Sequence, residues 1–344
     1  MKADFESISH EVPGFIELVS RDNGDEKWIV AIQRSDALAS YYAFDRKTKK
    51  LTKMFDSNPD ILRFARAPKK ALVIKARDGL EMVSYLTTPP GVEAKNLPLV
   101  LLIHGGPWDR DDDSYDPEVQ FLANRGYAAL QVNYRGSTSF GIKFFNAGNL
   151  QVGLGMVEDL FDAARWAVDQ GIADPKRIAA MGGSMGGYAT LRALEMRPDL
   201  FTCGVDEFGP ADEATSLRFF PKYWSNILAR WRRRRREGDA DHDENWNRKI
   251  SPLYHVDAIR APLLIGQGKN DPRVTIANTD VMVAALRKAK REVTYVVYSD
   301  EGHGFARPEN QRDFYGRVEE FLAKHLEGRA EPWKKINGST AELR

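Results

Sequence analysis

Short apolar runs that alternate with amphipathic stretches between residues 71 and 325 restrict the folds open to this chain most strongly. The runs are nearly continuous in apolar residues, which is typical of strands buried on both faces. They cover residues 99–103, 128–132, 177–181, 262–265 and 293–298. Helical periodicity follows at 157–170, 188–196, 276–288 and 312–325. This order predicts an α/β fold with a mostly parallel, doubly wound sheet covered by helices on both faces.

The sequence on either side of this region has a different character. Residues 14–55 contain short β-rich runs joined by polar turns, so residues 1–70 are predicted to be a β-rich N-terminal segment. It holds too few strands to stand alone, and we expect it to pack on something larger. Residues 71–327 are predicted to form the α/β domain, and residues 328–344 a polar, loosely held C-terminal tail.

Composition excludes several classes of partner. The 344 residues carry a formal net charge of +1, which favours neither nucleic acid nor an anionic membrane as a partner. The basic run at 231–236 is followed at once by the acidic stretch 237–244, so we expect an exposed helix end and loop with ion pairs. A single cysteine, no apolar signal core and no spanning-length apolar stretch indicate a cytoplasmic protein.

A serine flanked by glycines marks the candidate nucleophile. In Met181-Gly-Gly-Ser-Met-Gly-Gly187 the serine follows a predicted strand and precedes a predicted helix. A serine on such a sharp turn needs small neighbours two positions away, and Gly182 and Gly186 meet that need. The turn presents the Ser184 hydroxyl at the C-terminal edge of the sheet. A glycine-rich turn that binds phosphate is the alternative.

A serine hydroxyl needs a base, and six histidines are available. His303 directly follows a strand in a loop flanked by glycines, from which an imidazole reaches across the top of the sheet. The acid of such a site falls between serine and histidine in the chain, at a strand end. Asp271 fits both conditions, and Asp206 is the second candidate. The acid would hold the tautomer of the base and stabilise the imidazolium.

Donors for an oxyanion are predicted on both sides of the nucleophile. His104-Gly-Gly-Pro107 follows the first apolar strand, where this type of fold places such a loop. We expect one donor from the Met185 backbone N–H and the other from the Gly106 N–H, since a glycine lets the backbone approach a ligand closely. No pair of histidines at metal-binding spacing, second cysteine or dinucleotide fingerprint occurs, so we predict no metal and no cofactor.

Five motifs together resemble the prolyl oligopeptidase family of serine hydrolases, in particular its acylaminoacyl-peptidase and bacterial dipeptidyl-aminopeptidase-like branch. They are His104-Gly-Gly-Pro107, Asn133-Tyr-Arg-Gly-Ser137, Gly182-Gly-Ser-Met-Gly-Gly187, Asn270-Asp-Pro-Arg-Val274 and Glu301-Gly-His-Gly-Phe305. The resemblance covers residues 71–325 and implies the α/β-hydrolase fold. Members carry a large N-terminal β-propeller, of which residues 3–55 resemble only the end. The family usually has an aromatic residue where this chain has Met185.

The resemblance also implies substrate-binding residues. Arg273 would hydrogen-bond a substrate carbonyl, with structural ion pairing as its alternative. The stretch Phe219-Phe-Pro-Lys-Tyr-Trp224 resembles the aromatic lining of the acyl pocket, which makes Tyr223 and Trp224 candidates. Core packing is the alternative for these aromatic residues.

The combined prediction is a serine hydrolase that forms an acyl-enzyme intermediate. Because ester leaving groups need less acid assistance than amines, and a site without a propeller would hold peptides poorly, we predict a carboxylesterase for small to medium esters. A peptidase of the acylaminoacyl or dipeptidyl type is the alternative, so the substrate is a small ester or a short peptide. An oligomerising scaffold without activity is the alternative of another class, and a homo-oligomer is compatible with either enzyme.

Overall fold

The computed structural model of the chain describes residues 1–218, 222–235 and 244–344. Its helices are α1 (Lys2–Glu11), α2 (Pro117–Asn124), α3 (Ile142–Ala147), α4 (Gly155–Asp169), α5 (Met185–Met196), α6 (Glu213–Arg218), α7 (Ser225–Arg235), α8 (Glu244–Ile250), α9 (Ile276–Lys288) and α10 (Pro308–Leu326). Its strands are β1 (Phe15–Arg21), β2 (Lys27–Arg34), β3 (Ala37–Asp45), β4 (Lys50–Asp56), β5 (Lys70–Lys75), β6 (Glu81–Thr87), β7 (Leu97–Ile103), β8 (Ala128–Val132), β9 (Ala173–Gly183), β10 (Cys203–Glu207), β11 (Leu263–Gly268), β12 (Val293–Tyr298) and β13 (Ala341–Leu343). Short 3₁₀ helices cover Pro59–Arg63, Lys222–Trp224 and Pro252–His255.

Nine strands form one large sheet in the order β13-β12-β11-β10-β9-β7-β8-β6-β5. The six neighbouring strands β12, β11, β10, β9, β7 and β8 are parallel. Antiparallel pairing adds β6 and β5 at one edge of the sheet and β13 at the other. The C-terminal ends of the parallel strands therefore lie along one edge of the sheet. The predicted mostly parallel α/β-hydrolase sheet is confirmed.

Helices cover both faces of the sheet because its central strands are apolar on both sides. In β7 all seven residues are buried, and alternate side chains enter opposite cores. Leu99, Leu101 and Ile103 pack in the core that holds α4, α5 and α9, whereas Val100 and Leu102 pack in the core that holds α2 and α10. This two-sided burial is the physical reason that an uninterrupted apolar run indicates a parallel strand.

The N-terminal segment forms a separate antiparallel sheet in the order β1-β2-β3-β4, which is the layout of one β-propeller blade. Its small core centres on Trp28 and Phe44, and the helix α1, which the sequence did not predict, closes it with Ile8. The segment packs on the large domain through the Gln120 side chain, whose Nε2 donates to the carbonyls of Ser35 and Ala67.

The C-terminal tail differs from the prediction of a loosely held segment. Residues 341–343 form β13, which pairs with the end of β12 at the sheet edge. Ser339 and Thr340 also bond the buried Asn310 side chain of α10. The polar composition predicted a loose tail. The tail is ordered instead because its backbone forms hydrogen bonds with the edge strand β12.

Candidate active site

Ser184 lies at the sharp turn between β9 and α5, as predicted. Its φ of +56° is in the left-handed region, which is costly for a residue with a side chain and is typical of functional turns. A Cβ on Gly182 would lie 2.4 Å from the Ile103 carbonyl oxygen, and one on Gly186 would lie 2.0 Å from the same oxygen. The two glycines are therefore required because the turn packs directly against the end of β7.

Asp271 and His303 complete a continuous chain of hydrogen bonds with Ser184. His303 Nδ1 lies 2.7 Å from Asp271 Oδ2, and His303 Nε2 lies 2.9 Å from Ser184 Oγ. Because an ionised carboxylate only accepts, Nδ1 carries the proton and Nε2 is free to accept the serine proton. The other oxygen, Asp271 Oδ1, accepts the backbone N–H groups of Arg273 and Val274 at 2.7 and 3.0 Å. The carboxylate is thereby fixed in position at the end of β11.

Asp206, the second candidate for the acid, serves another purpose. It is 1% exposed, its Oδ1 accepts the Gly209 N–H at 2.8 Å, and the same oxygen lies where a Cβ on Gly187 would be. Burial raises the pKa of Asp206 to about 8. Asp206 packs against the start of α5, and the carboxylate that bonds the histidine is that of Asp271.

The loop that carries His303 is held in shape by the buried carboxylate of Glu301. This side chain is 2% exposed and accepts the backbone N–H groups of Ala306 and Arg307, each at 2.9 Å, and the Asn310 amide at 2.8 Å. The sequence motif around His303 thus contains its own support. The Phe208 ring packs against the imidazole with ring centroids 4.9 Å apart.

The predicted oxyanion loop is supported by the motif Asn133-Tyr-Arg-Gly-Ser137. The Tyr134 hydroxyl donates to the His104 carbonyl at 3.0 Å, and Ser137 Oγ lies 2.9 Å from His104 Nε2. The His104 imidazole stacks on Tyr134 with ring centroids 4.3 Å apart, and burial lowers its pKa to about 4, so it stays neutral. Gly106, in the same loop, adopts a φ of +118°, which only glycine takes readily.

A cavity of about 330 Å³ opens over these groups. Both predicted donor residues, Gly106 and Met185, line it together with Ser184 and His303. We call it the acyl cavity. Its other walls combine aromatic and charged side chains, namely Asp109, Glu213, Trp224, Trp231 and Arg273.

Two of the three predicted substrate-binding residues lie in the acyl cavity. Arg273 and Trp224 line it, and the guanidinium carbon lies 4.5 Å from the Trp224 ring centroid, a cation–π geometry. Tyr223 does not line it: the side chain is 68% exposed and touches Trp224 edge-on from outside. Phe219 to Pro221 of the predicted aromatic stretch lie outside the described residues.

A second cavity, of about 310 Å³, meets the first at Gly105, Ser184 and His303. Four carboxylic acids line it, and we call it the acidic cavity: Asp111, Asp116, Glu118 and Glu207. Burial raises the pKa of Glu207 to about 7 and that of Asp111 to about 7. Burial and then the charge of Glu207 raise the pKa of Glu118 well above its usual range. The acids therefore sit in a poorly solvated space and influence one another.

Sequence reasoning missed several of these residues. Trp231 belongs to the basic run that was predicted to be an exposed helix end, yet it lines the acyl cavity and packs on Trp108 with ring centroids 5.0 Å apart. Residues 236–243, which hold most of the acidic stretch predicted to neutralise that run, lie outside the described residues. Glu207 could have been found from its position at the C-terminal end of β10, one strand from the nucleophile.

The described residues contain neither a cluster of metal ligands nor a helix that could span a membrane. No group of three or more histidine, cysteine, aspartate or glutamate side chains is arranged to hold a metal ion in residues 1–218, 222–235 and 244–344. Among the helices of these ranges, none is long and apolar enough to cross a membrane.

Comparisons with known proteins agree on one family. A model described as the prolyl oligopeptidase family matches residues 113–329. Dipeptidyl aminopeptidase BIII of Pseudoxanthomonas mexicana is 45% identical over all of this chain and 51% of its own length. Dipeptidyl peptidase family member 6 of Caenorhabditis elegans is 35% identical over 95% of this chain and 47% of its own. A solved puromycin-hydrolysing peptidase of Mycobacterium tuberculosis superposes with a TM-score of 0.80 at 28% identity, covering 91% of this chain and 48% of that one.

These relatives alter the functional prediction in one respect. The chain spans about half the length of the curated relatives it matches. Their names describe peptidases, so the comparisons favour the peptidase alternative over the carboxylesterase prediction. The predicted hydrolase class agrees with all of them.

Proposed function

The chain belongs to the prolyl oligopeptidase family, and from this premise we propose that it is a serine peptidase that releases dipeptides from the amino ends of peptides. The observation that carries the proposal is the unbroken hydrogen-bond chain Asp271–His303–Ser184 beside a cavity lined by Gly106 and Met185. A weak nucleophile, a base and an orienting acid in this order are what acyl transfer needs.

The geometry supports a two-step mechanism. His303 Nε2 takes the Ser184 proton while Ser184 Oγ attacks the scissile carbonyl carbon, and the imidazolium is stabilised by Asp271. The negative charge that forms on the carbonyl oxygen would be held by the backbone N–H groups of Met185 and Gly106, which are fixed before the reaction starts. His303 then protonates the departing amine, and in the second step it activates the water that releases the acyl group.

Arg273 supports a peptide as the substrate. Its backbone N–H is bonded to the triad aspartate, and its guanidinium lies over Trp224 in the acyl cavity. A planar, permanently charged donor in this place suits a peptide carbonyl one residue before the scissile bond. In this role Arg273 would orient the acyl part of the substrate, and Trp224 would orient Arg273.

The choice between ester and peptide rests on the comparisons. The esterase prediction assumed a site left open by a missing propeller, whereas the curated relatives that the chain matches are named as peptidases. The two most similar relatives reported above are both named for dipeptide release, which favours this activity over release of acylated amino acids.

Three chromogenic substrates test the proposal: alanyl-alanyl p-nitroanilide with a free amino end, acetyl-alanyl p-nitroanilide, and p-nitrophenyl butyrate. We expect alanyl-alanyl p-nitroanilide to have a higher kcat/KM than acetyl-alanyl p-nitroanilide. Ser184→Ala should abolish its turnover. Preference for the acetylated anilide would make the protein an acylaminoacyl peptidase. Ester turnover without any anilide turnover would restore the carboxylesterase prediction.

A further inference from the structure

The two cavities at Ser184 divide the substrate between them. The acyl cavity contains both predicted oxyanion residues, Gly106 and Met185, so the carbonyl under attack and the acyl group belong there. The acidic cavity shares Ser184 and His303 but neither Gly106 nor Met185. The leaving group must lie beside His303, which protonates it, and away from the oxyanion donors. The acidic cavity is thus placed for the residue that follows the scissile bond.

Three buried polar atoms of the acidic cavity lack donors among the described residues. Gln131 is 2% exposed and its Nε2 donates to Asp111 and Asp116, yet its Oε1 has no hydrogen-bond partner in the described part of the chain. The same holds within these residues for Asp111 Oδ2 and Glu118 Oε1. Because a buried polar atom without a partner is costly, a cluster of unpaired acceptors indicates a ligand that donates.

Charge leads to the same conclusion. The side chain of Glu207 is 7% exposed and makes no hydrogen bond or ion pair with any described residue. No ion pair joins Asp111, Asp116 or Glu118 to a basic side chain within residues 1–218, 222–235 and 244–344. The charge of the Lys69 ammonium acts on Asp111 to lower its pKa, but the ammonium itself donates to the backbone carbonyl of Asp112. Several desolvated carboxylates without an ion-pair partner favour a cationic ligand.

The shape of the cluster favours an organic cation. Among the described residues no three of these acids are close enough to enclose a metal ion. A cavity of about 310 Å³ instead accommodates a side chain that carries an ammonium or guanidinium group. Such a group donates several hydrogen bonds at once, which matches acceptors spread over the end of β10 and the start of α2.

We propose that the acidic cavity binds the lysine or arginine side chain of the residue directly after the scissile bond, with Glu207 as its principal partner. The inference rests on the proposed acyl-transfer mechanism and extends it to the leaving group. It makes the protein selective for peptides with a basic residue on the leaving side.

Capture of the acyl-enzyme by an added amine measures this subsite directly. The amine nitrogen attacks the acyl carbon, the bond from that carbon to Ser184 Oγ breaks, and His303 passes the amine proton to the serine oxygen. The product is an amide in place of the acid that water would give. At about pH 8.5 the α-amine of lysinamide is largely unprotonated and reactive, whereas its side-chain ammonium stays charged. Norleucinamide is the neutral control of equal length.

With p-nitrophenyl butyrate as acyl donor, we expect lysinamide to capture the acyl group about 10- to 100-fold more efficiently than norleucinamide, the range that a charge-assisted hydrogen bond typically contributes. Glu207→Gln should bring the two amines to within a fewfold of each other. Asp113→Asn, which removes an exposed charge from the loop that carries Asp111, should preserve the preference for lysinamide. Capture of norleucinamide shows that each variant is folded.

Other outcomes overturn the inference. Equal capture of both amines by the unsubstituted protein would mean that the carboxyls are kept protonated and bind no cation. If Glu207→Gln instead slows acylation by alanyl-alanyl esters but not by acetyl-alanyl-alanyl esters, the cation is the amino end of the acyl group. Because p-nitrophenyl esters acylate serine hydrolases in general, a failure of dipeptidyl anilide cleavage would reject the proposed function separately. Absence of ester turnover by the folded protein would reject both.

Discussion

The buried carboxylates at the catalytic edge of the sheet fall into two groups that differ in their hydrogen bonding. Asp271 and Glu301, at the ends of β11 and β12, have every oxygen engaged by backbone donors, an amide or the histidine. Glu207, at the end of the neighbouring β10, has no donor for its side chain within the described residues. Burial and strand-end position are the same in both groups. We infer that the paired acids hold the site in shape, whereas the unpaired acids are available to a ligand.

The largest effect on activity is expected at Asp271, whose hydrogen-bonded carboxylate orients the base His303. Asp271→Asn presents an amide in place of one carboxylate oxygen and favours the wrong histidine tautomer, so kcat should fall about 10⁴-fold with the fold intact. Asp206→Asn is the matched control, because burial raises the pKa of Asp206 to about 8 and the carboxyl is already neutral at pH 7. Its kcat should stay within a fewfold of the original. Steady-state kinetics at pH 7 would contradict this account if the two variants lost similar activity.

A smaller effect is expected at Glu301. Glu301→Leu removes the acceptor for two backbone N–H groups and the Asn310 amide, and should lower the free energy of unfolding by about 3 kcal/mol. Glu301→Gln keeps one acceptor oxygen and should cost less. Urea denaturation followed by circular dichroism measures both. Equal stability of Glu301→Leu and the original protein would remove the distinction between paired and unpaired acids.

The smallest effect is expected at Glu207, and it depends on pH. Burial raises its pKa from about 4.5 to about 7, so the folded state retains a proton that the unfolded state loses in this interval. Folding stability therefore falls as the pH rises from about 4.5 to about 7. Glu207→Gln, whose side chain does not titrate, should lessen this fall. Unfolding free energies of both proteins at pH 4.5, 6 and 8 test this, and parallel pH profiles would show that Glu207 has a partner after all.

The site residues that could be predicted are those whose role is indicated by the residues next to them in sequence. The glycines around Ser184 and the strand-end positions of Asp271 and His303 are local signals, because parallel strands bring their C-terminal ends to one edge. The sheet followed from apolar runs for the same local reason. Gly106 and Met185 were found in this way too, from the loop and turn that carry them.

The remaining residues depend on tertiary packing. Trp231 directly precedes a run of arginines, and the apolar Ile227 and Leu228 before it do not show that α7 carries it to the acyl cavity. Glu207 and Glu118 come from different elements, and neither sequence position shows which carboxylate oxygens have a donor. Tyr223 and Trp224 are adjacent in sequence, but only Trp224 faces the cavity. These features require the assembled fold.

The most direct test of the central claim is a covalent label on the nucleophile. An alanyl-alanyl diphenyl phosphonate with a free amino end resembles the acyl part of a dipeptide-releasing substrate and reacts only with an activated serine. Intact-mass spectrometry and peptide mapping after incubation should show one adduct, located on Ser184, that is lost in Ser184→Ala and forms far more slowly in Asp271→Asn. A folded protein that gains no adduct, or gains one on another residue, would contradict the account.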